Sequence, residues 1–134
     1  MLNILLIDDD EDEHLFFKWS IEKIGSGINL LGALSAIQAE DLLKQSIPDI
    51  IFLDINLPGA DGFDCLNAIR DLPGIKNIPV FMYSTEITET SRQKAISLGA
   101  AGCLKKLRNH DVLDKIISEK LMTSATGHIH EHGA

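Results

Sequence analysis

Several short apolar runs of this chain end in residues that can do chemistry. Asp8 and Asp9 follow the first run, Asp54 ends another, Ser84 closes a third and Lys106 follows the last. Carboxylate oxygens are ligands for a hard cation such as Mg²⁺, and a carboxylate can also attack phosphorus. Hydroxyl and ammonium groups bind phosphoryl oxygens. If the fold brings these residues together, they indicate phosphoryl-transfer chemistry.

Asp54 alone does not decide between two roles. It follows four large apolar residues at 50–53 and precedes Asn56, Pro58 and Gly59. The apolar run is typical of a strand buried on both faces, whose carboxyl end is where open α/β sheets bind ligands. Asp, Asn, Pro and Gly are also common turn residues. The stretch by itself supports a chemical role and a turn role equally.

The apolar pattern predicts five strands that alternate with five helices. The predicted strands cover 3–7, 28–34, 50–54, 79–83 and 102–104, and the predicted helices cover 12–24, 36–45, about 63–73, 88–98 and 109–121. This alternation requires a parallel sheet with right-handed crossovers and helices on both faces. We predict an α/β, flavodoxin-like fold with a doubly wound five-stranded parallel sheet in the order 2-1-3-4-5. In the first helix we expect Phe17, Ile21 and Ile24 to face inward, with Leu15 and Trp19 widening the stripe.

In that strand order the first and third strands are neighbours at the switch point, so Asp8, Asp9 and Asp54 should converge. Like charges this close need a cation, and an all-oxygen cluster suits Mg²⁺. With Mg²⁺ holding a phosphate donor, Asp54 could form an acyl phosphate while Ser84 and Lys106 bind the remaining oxygens.

The composition argues against several classes of protein. Twenty acidic and 12 basic residues give a net charge of -8, which opposes a nucleic-acid partner. The chain shows neither a signal peptide nor a membrane-spanning segment, so we expect no membrane association and a cytoplasmic location. Cys65 and Cys103 lack the spacing of a zinc or redox motif and are predicted to be buried thiols.

We predict one domain, residues 1–122, followed by a flexible tail, residues 123–134. His128, His130 and His132 alternate in the tail and could hold a metal, but a flexible end offers no supporting shell. A disordered or artificially added end is the favoured interpretation.

Taken together, the chain resembles the response-regulator receiver domains of bacterial two-component signalling, over about residues 2–121. The resemblance is carried by the acidic pair Asp8 and Asp9, by Asp54 with Asn56, Pro58 and Gly59 behind it, by Ser84, and by Gly99 and Ala100 leading to Lys106. Each motif alone is weak, but five in order at the predicted strand ends are specific. The chain is most similar to stand-alone, chemotaxis-type regulators.

The resemblance implies that Asp54 accepts a phosphoryl group from a sensor histidine kinase or phosphotransfer protein. It implies that Asp9, Asp54 and the backbone carbonyl of Asn56 ligate Mg²⁺, with Asp8 acting through water. Such a protein is not an enzyme beyond catalysing its own phosphorylation and dephosphorylation. It signals to a downstream protein through the fourth helix, fifth strand and fifth helix, which also form some homodimers. Asp10 is expected to be a solvated charge.

In the family, the residues two positions after the acceptor and after the hydroxyl modulate self-dephosphorylation. Here they are Asn56 and Glu86, which implies a short-lived phosphoryl group. Two positions depart from the family pattern. Leu107 replaces the proline that usually follows the lysine in a cis bond, and a cis bond before leucine would cost roughly 3–4 kcal/mol. Cys103 replaces a Tyr or Phe whose rotamer tracks the hydroxyl.

Three alternatives remain open. A degenerate receiver could bind a partner without phosphorylation. A phosphohydrolase of the haloacid-dehalogenase type also uses Asp and Mg²⁺, but it needs a second Asp where this chain has Asn56. A flavodoxin-like redox protein would share the sheet, but six consecutive acids at 8–13 would repel a flavin phosphate.

Overall fold

A computed structural model of the chain describes residues 1–25, 27–57, 59–106, 115 and 117–119. Within these residues the strands and helices, in chain order, are β1 Leu2–Ile7, α1 Glu11–Ile24, β2 Ile28–Ala33, α2 Ala36–Gln45, β3 Ile50–Asp54, β4 Asn56–Leu57, β5 Ala60–Asp61, α3 Gly62–Arg70, β6 Val80–Ser84, α4 Glu89–Ser97 and β7 Gly102–Lys105. Residues 115 and 117–119 are also helical, where the fifth helix is predicted. Pro58, Leu107, Asn109 and the histidine-containing tail lie outside the described residues.

Five strands form one parallel sheet in the order β2-β1-β3-β6-β7. Since β6 and β7 are the fourth and fifth predicted strands, this is the predicted order 2-1-3-4-5, and the doubly wound, flavodoxin-like fold is confirmed. The short strands β4 and β5 pair antiparallel as a separate hairpin. The turn residues that follow Asp54 do not predict this hairpin, because two-residue strands carry no periodic signal.

The sheet is buried on both faces. All five residues of β3 are buried, as the apolar run at 50–53 predicts. Ile51 and Leu53 belong to the apolar layer that includes residues of α2, α3 and α4. Ile50 and Phe52 belong to the opposite layer, which includes residues of α1 and Ile117. This alternation follows from the period of two in a strand, and it leaves Asp54 at the strand end.

Helix α1 presents a narrower apolar face to the sheet than predicted. Phe17 and Ile21 are buried, but Leu15 is 43% exposed and Trp19 is 50% exposed. Two positions along a helix correspond to a rotation of roughly 200°. Leu15 and Trp19 therefore lie away from Phe17, and the expectation that they widen the inward stripe was wrong.

The helix starts next to the sheet edge have specific local causes. Asp10 is exposed, as expected for a solvated charge, and its carboxylate also caps α1 by accepting the Asp12 N–H at 2.9 Å. Gly62 begins α3 directly against β3. A Cβ on Gly62 would overlap the carbonyl oxygen of Asp54. The close approach of α3 to this strand end therefore requires glycine.

One arginine joins two connections on the same side of the fold. The Arg70 guanidinium donates hydrogen bonds to the carbonyl oxygens of Ile75 and Ile78, between α3 and β6. It also donates to the carbonyl of Gly99, in the turn before β7. A single side chain thus holds both segments.

Both cysteines are free and buried, as predicted. Burial and the charge of Glu40 raise the pKa of Cys65 to about 11, and burial also raises the pKa of Cys103. These thiols are therefore poor nucleophiles near neutral pH. Among the described helices, none combines the length and apolar character needed to cross a bilayer.

Candidate functional site

The carboxyl ends of β1 and β3 bring three acidic side chains together. Ile7 pairs with Leu53 across these neighbouring strands, so the residues that follow leave the sheet side by side. Carboxylate oxygens of Asp8, Asp9 and Asp54 lie within 4.8 Å of one another. Asp8 is fully buried and Asp54 is 4% exposed, whereas Asp9 faces solvent.

Lys106 reaches this group from the end of β7. Its backbone N–H donates to the carbonyl of Ser84 at 2.7 Å, which fixes the start of the side chain at the sheet edge. Its Nζ lies 2.8 Å from Asp8 Oδ2 and donates to Asp54 Oδ2 at 3.2 Å. The structure therefore places Lys106 on both buried acids. The peptide bond to Leu107 lies outside the described residues.

Burial and neighbouring charges shift the pKa values of Asp54 and Lys106. Burial raises the pKa of Asp54 above its ordinary value; the N–H of Asn56 opposes this rise, the charge of Asp8 adds to it, and Lys106 opposes it. Burial alone would lower the pKa of Lys106, but Asp8 and Asp54 together outweigh it, so the pKa of the lysine is raised. Lys106 therefore stays positively charged beside the acids.

Ser84 lies at the end of β6, next to the residues predicted to control phosphate lifetime. Asp54 Oδ1 accepts the backbone N–H of Asn56 at 3.0 Å. The Asn56 side-chain amide and the backbone N–H of Glu86 each donate to Ser84 Oγ at 3.4 Å. Ser84 is 2% exposed, whereas the side chains of Asn56 and Glu86 face solvent. Asn56 thus links the acid of β3 to the hydroxyl of β6.

The acidic residues fit a divalent cation. Asp8 Oδ2 is buried, and the partner that the described residues give it is the Lys106 ammonium, 2.8 Å away. An ionised carboxylate oxygen can accept more than one partner, so this oxygen can also ligate a cation. A cleft of about 650 Å³ borders Lys106 and residues 8–12 and gives access from solvent. Clustered carboxylate oxygens of this type suit Mg²⁺.

Comparison with known proteins identifies the family. Residues 4–118 match the profile of the response regulator receiver domain. The chain belongs to this family. Receiver domains are the phosphoaccepting signalling domains of two-component systems; they bind Mg²⁺ at an acidic cluster and interact with histidine kinases or phosphotransfer proteins.

This receiver domain is similar to one curated regulator and to two regulators of solved structure. It is 36% identical to the transcriptional regulatory protein CpxR of Escherichia coli over 79% of this chain and 43% of CpxR. The chemotaxis protein CheY4 of Vibrio cholerae superposes with a TM-score of 0.81 at 25% identity, covering 89% of this chain and 98% of CheY4. The phosphorylated cyanobacterial phytochrome response regulator RcpA superposes with a TM-score of 0.75 at 26% identity, covering 88% of this chain and 89% of RcpA.

The receiver domain spans only part of most curated relatives that it matches, between 15% and 43% of their length. The activities of those longer proteins are therefore not assigned to this chain.

The receiver domain contains two contacts of Tyr83 near the site that the sequence did not predict. The hydroxyl of Tyr83 donates to Glu13 Oε2 at 2.6 Å, and Lys106 Nζ lies 5.0 Å from the centroid of the Tyr83 ring. Burial raises the pKa of this tyrosine, and the hydrogen bond and charge of Glu13 add to the rise. A lone tyrosine in an apolar strand was the available signal, because a buried tyrosine hydroxyl usually has a polar partner.

Proposed function

We propose that this receiver domain accepts a phosphoryl group on Asp54 from a sensor histidine kinase or phosphotransfer protein and signals through protein contacts. The observation that carries the proposal is the meeting of Asp8, Asp9 and Asp54 with Lys106 at one sheet edge. The phosphorylated state of RcpA, a structural relative, supports it.

We further propose that Asp8, Asp9, Asp54 and the backbone carbonyl of Asn56 hold Mg²⁺. The support is the cluster of carboxylate oxygens from Asp8, Asp9 and Asp54, of which Asp8 Oδ2 is buried. When bound, the ion neutralises negative charge on the phosphoryl oxygens.

The chain's own residues orient the reacting groups. A carboxylate oxygen of Asp54 forms the new bond to phosphorus while the P–N bond of the donor phosphohistidine breaks, and the bonding electron pair stays with the imidazole nitrogen. Lys106 already lies beside Asp54, so its ammonium is positioned to bind a phosphoryl oxygen without a large rearrangement. Ser84 Oγ provides a second polar group for those oxygens.

The proposed phosphoryl group on Asp54 is short-lived. Asn56 and Glu86 both contact Ser84, which supports their predicted role in dephosphorylation.

We expect the downstream protein, and any homodimer partner, to use α4, β7 and the helix that contains Lys115. A cytoplasmic location is part of this proposal, since histidine kinases phosphorylate their receivers there.

Intact mass spectrometry after incubation with acetyl phosphate and Mg²⁺ tests the function. The wild type and an Asp64→Asn control, which changes an exposed acid on α3, should gain one phosphoryl group, about 80 Da. Asp54→Asn should gain none while retaining the helical circular dichroism of the wild type. A folded wild type that gains no mass would overturn the proposal in favour of phosphorylation-independent binding. Continuous phosphate release without an accumulated adduct would favour the hydrolase.

A further inference from the structure

We propose that Tyr83, anchored by Glu13, is a positioning residue for Lys106 in phosphoryl transfer. The inference rests on the proposed function of Lys106 and goes beyond it, because it assigns roles to two residues outside the acidic cluster. Tyr83 immediately precedes Ser84 in β6, and Glu13 lies in the first turn of α1.

The ring of Tyr83 lies beside the lysine ammonium. The Nζ of Lys106 is 5.0 Å from the ring centroid, within the range of about 6 Å for an attractive cation–π contact. Such contacts are stronger when water is excluded. The Lys106 side chain is 11% exposed and Tyr83 is 1% exposed, so this contact is largely dry.

The ring is itself held in place. Its hydroxyl donates to Glu13 Oε2 at 2.6 Å, and it forms a T-shaped pair with Phe17 at a centroid distance of 5.4 Å and an interplanar angle of 85°. A change of the Tyr83 χ1 rotamer would break both contacts. The chain therefore provides a fixed aromatic surface for the lysine, whose long side chain loses rotamer entropy when it is ordered.

This support differs from that of the two acids. Phosphorylation converts the carboxylate of Asp54, which Lys106 contacts at 3.2 Å, into an acyl phosphate. The attraction between that carboxylate and the ammonium changes during the reaction, whereas the Tyr83 ring is not altered chemically. The ring can thus orient Lys106 both before and after transfer.

A double-mutant cycle tests this role. The measured quantity is the rate constant for phosphorylation by acetyl phosphate at saturating Mg²⁺, followed by intact mass. Tyr83→Leu removes the ring, and we expect the rate constant to fall about three- to tenfold. In a Lys106→Met background the same substitution should have almost no further effect. A role that acts only through fold stability would reduce the rate equally in both backgrounds.

Substitutions of Glu13 and of the Tyr83 hydroxyl distinguish the effect of the ring on the rate from the effect of its hydrogen bond. Glu13→Gln keeps an acceptor for Tyr83 and should retain the wild-type rate. Glu13→Leu and Tyr83→Phe both remove the hydrogen bond but keep the ring, so each should lower the rate by about twofold, a smaller loss than Tyr83→Leu. These variants also keep the inference testable if Tyr83→Leu does not fold.

Phe81→Leu is the matched control. Phe81 lies on the same strand and stacks on Phe52, so its loss should lower the melting temperature without an effect that depends on Lys106. Equal losses for Tyr83→Leu in the two lysine backgrounds, with a phosphorylated wild type, would overturn this inference alone. A wild type that is not phosphorylated would overturn the proposed function as well.

Discussion

The ammonium of Lys106 lies 2.8 Å from Oδ2 of Asp8, and so connects the end of the last strand of the sheet to the end of the first. In the metal-free protein the lysine supplies the positive charge that this buried acid requires. A divalent cation entering the cluster meets that charge as a competitor.

Lys106→Met should therefore bind Mg²⁺ more tightly. Removing one positive charge a few ångströms from the proposed ligands should lower the dissociation constant about fivefold or more. Isothermal titration calorimetry measures the change. Lys105→Met, which removes a neighbouring exposed lysine, should bind as the wild type does. Weaker binding by Lys106→Met would mean that the lysine orients the acids instead of competing with the ion.

Asp54→Asn should stabilise the metal-free protein. Because burial and the charge of Asp8 raise the pKa of Asp54, its ionised form is disfavoured in the fold. A neutral amide of the same shape should raise the free energy of unfolding by about 1 kcal/mol in EDTA. Urea denaturation measures this difference. Asp64→Asn should change it little, and a destabilised Asp54→Asn would show that the lost contact with Lys106 dominates.

Tyr83 should make stability fall at high pH. The folded pKa is raised above the ordinary value of 10.0, so the folded state retains a proton that the unfolded state loses. The contribution is fully present below pH 10 and decreases as the pH rises further, by about 1.4 kcal/mol per unit. The chain has one tyrosine, so the change in near-ultraviolet absorbance on phenol ionisation reports Tyr83, because the single tryptophan does not ionise. Tyrosinate should appear near pH 10 in urea but not in the folded protein, and Tyr83→Phe should lack this dependence.

Gly62→Ala should disturb the strand end that carries Asp54. The added Cβ would overlap the Asp54 carbonyl oxygen, which is backbone and has little room to move. We expect a loss of about 2 kcal/mol or more in the free energy of unfolding, together with slower phosphorylation. Gly102→Ala is the control, because its Cβ would make only ordinary contacts with Phe81 at 3.4 Å. Equal unfolding energies for the two variants would contradict the close approach of α3 to β3.

The sequence predicted the sheet and the meeting of the acids because both follow from strand order. Once β1 and β3 are neighbours, Asp8 and Asp54 lie at one edge whatever their rotamers. The contact of Lys106 with both acids depends on side-chain torsions, which no periodicity encodes. The hydrogen bond between Tyr83 and Glu13 joins residues 70 positions apart. Pairs that distant leave no local pattern.

Some local features have a signal in the sequence and others have none. Asp10 precedes a helix and is followed by acids in the first turn, which is a recognised cap pattern. Trp19 is apolar, but its position two residues from Phe17 turns it away from the sheet, so helical angle decides its exposure. The two-residue strands of the β4–β5 hairpin are too short for any pattern to predict.

The Arg70 guanidinium has a consequence for how the molecule opens. Because one side chain holds carbonyls both between α3 and β6 and in the turn before β7, neither segment can separate without releasing the other. Local opening of this region should be cooperative, and the backbone amides of the two segments should exchange with deuterium at a common rate.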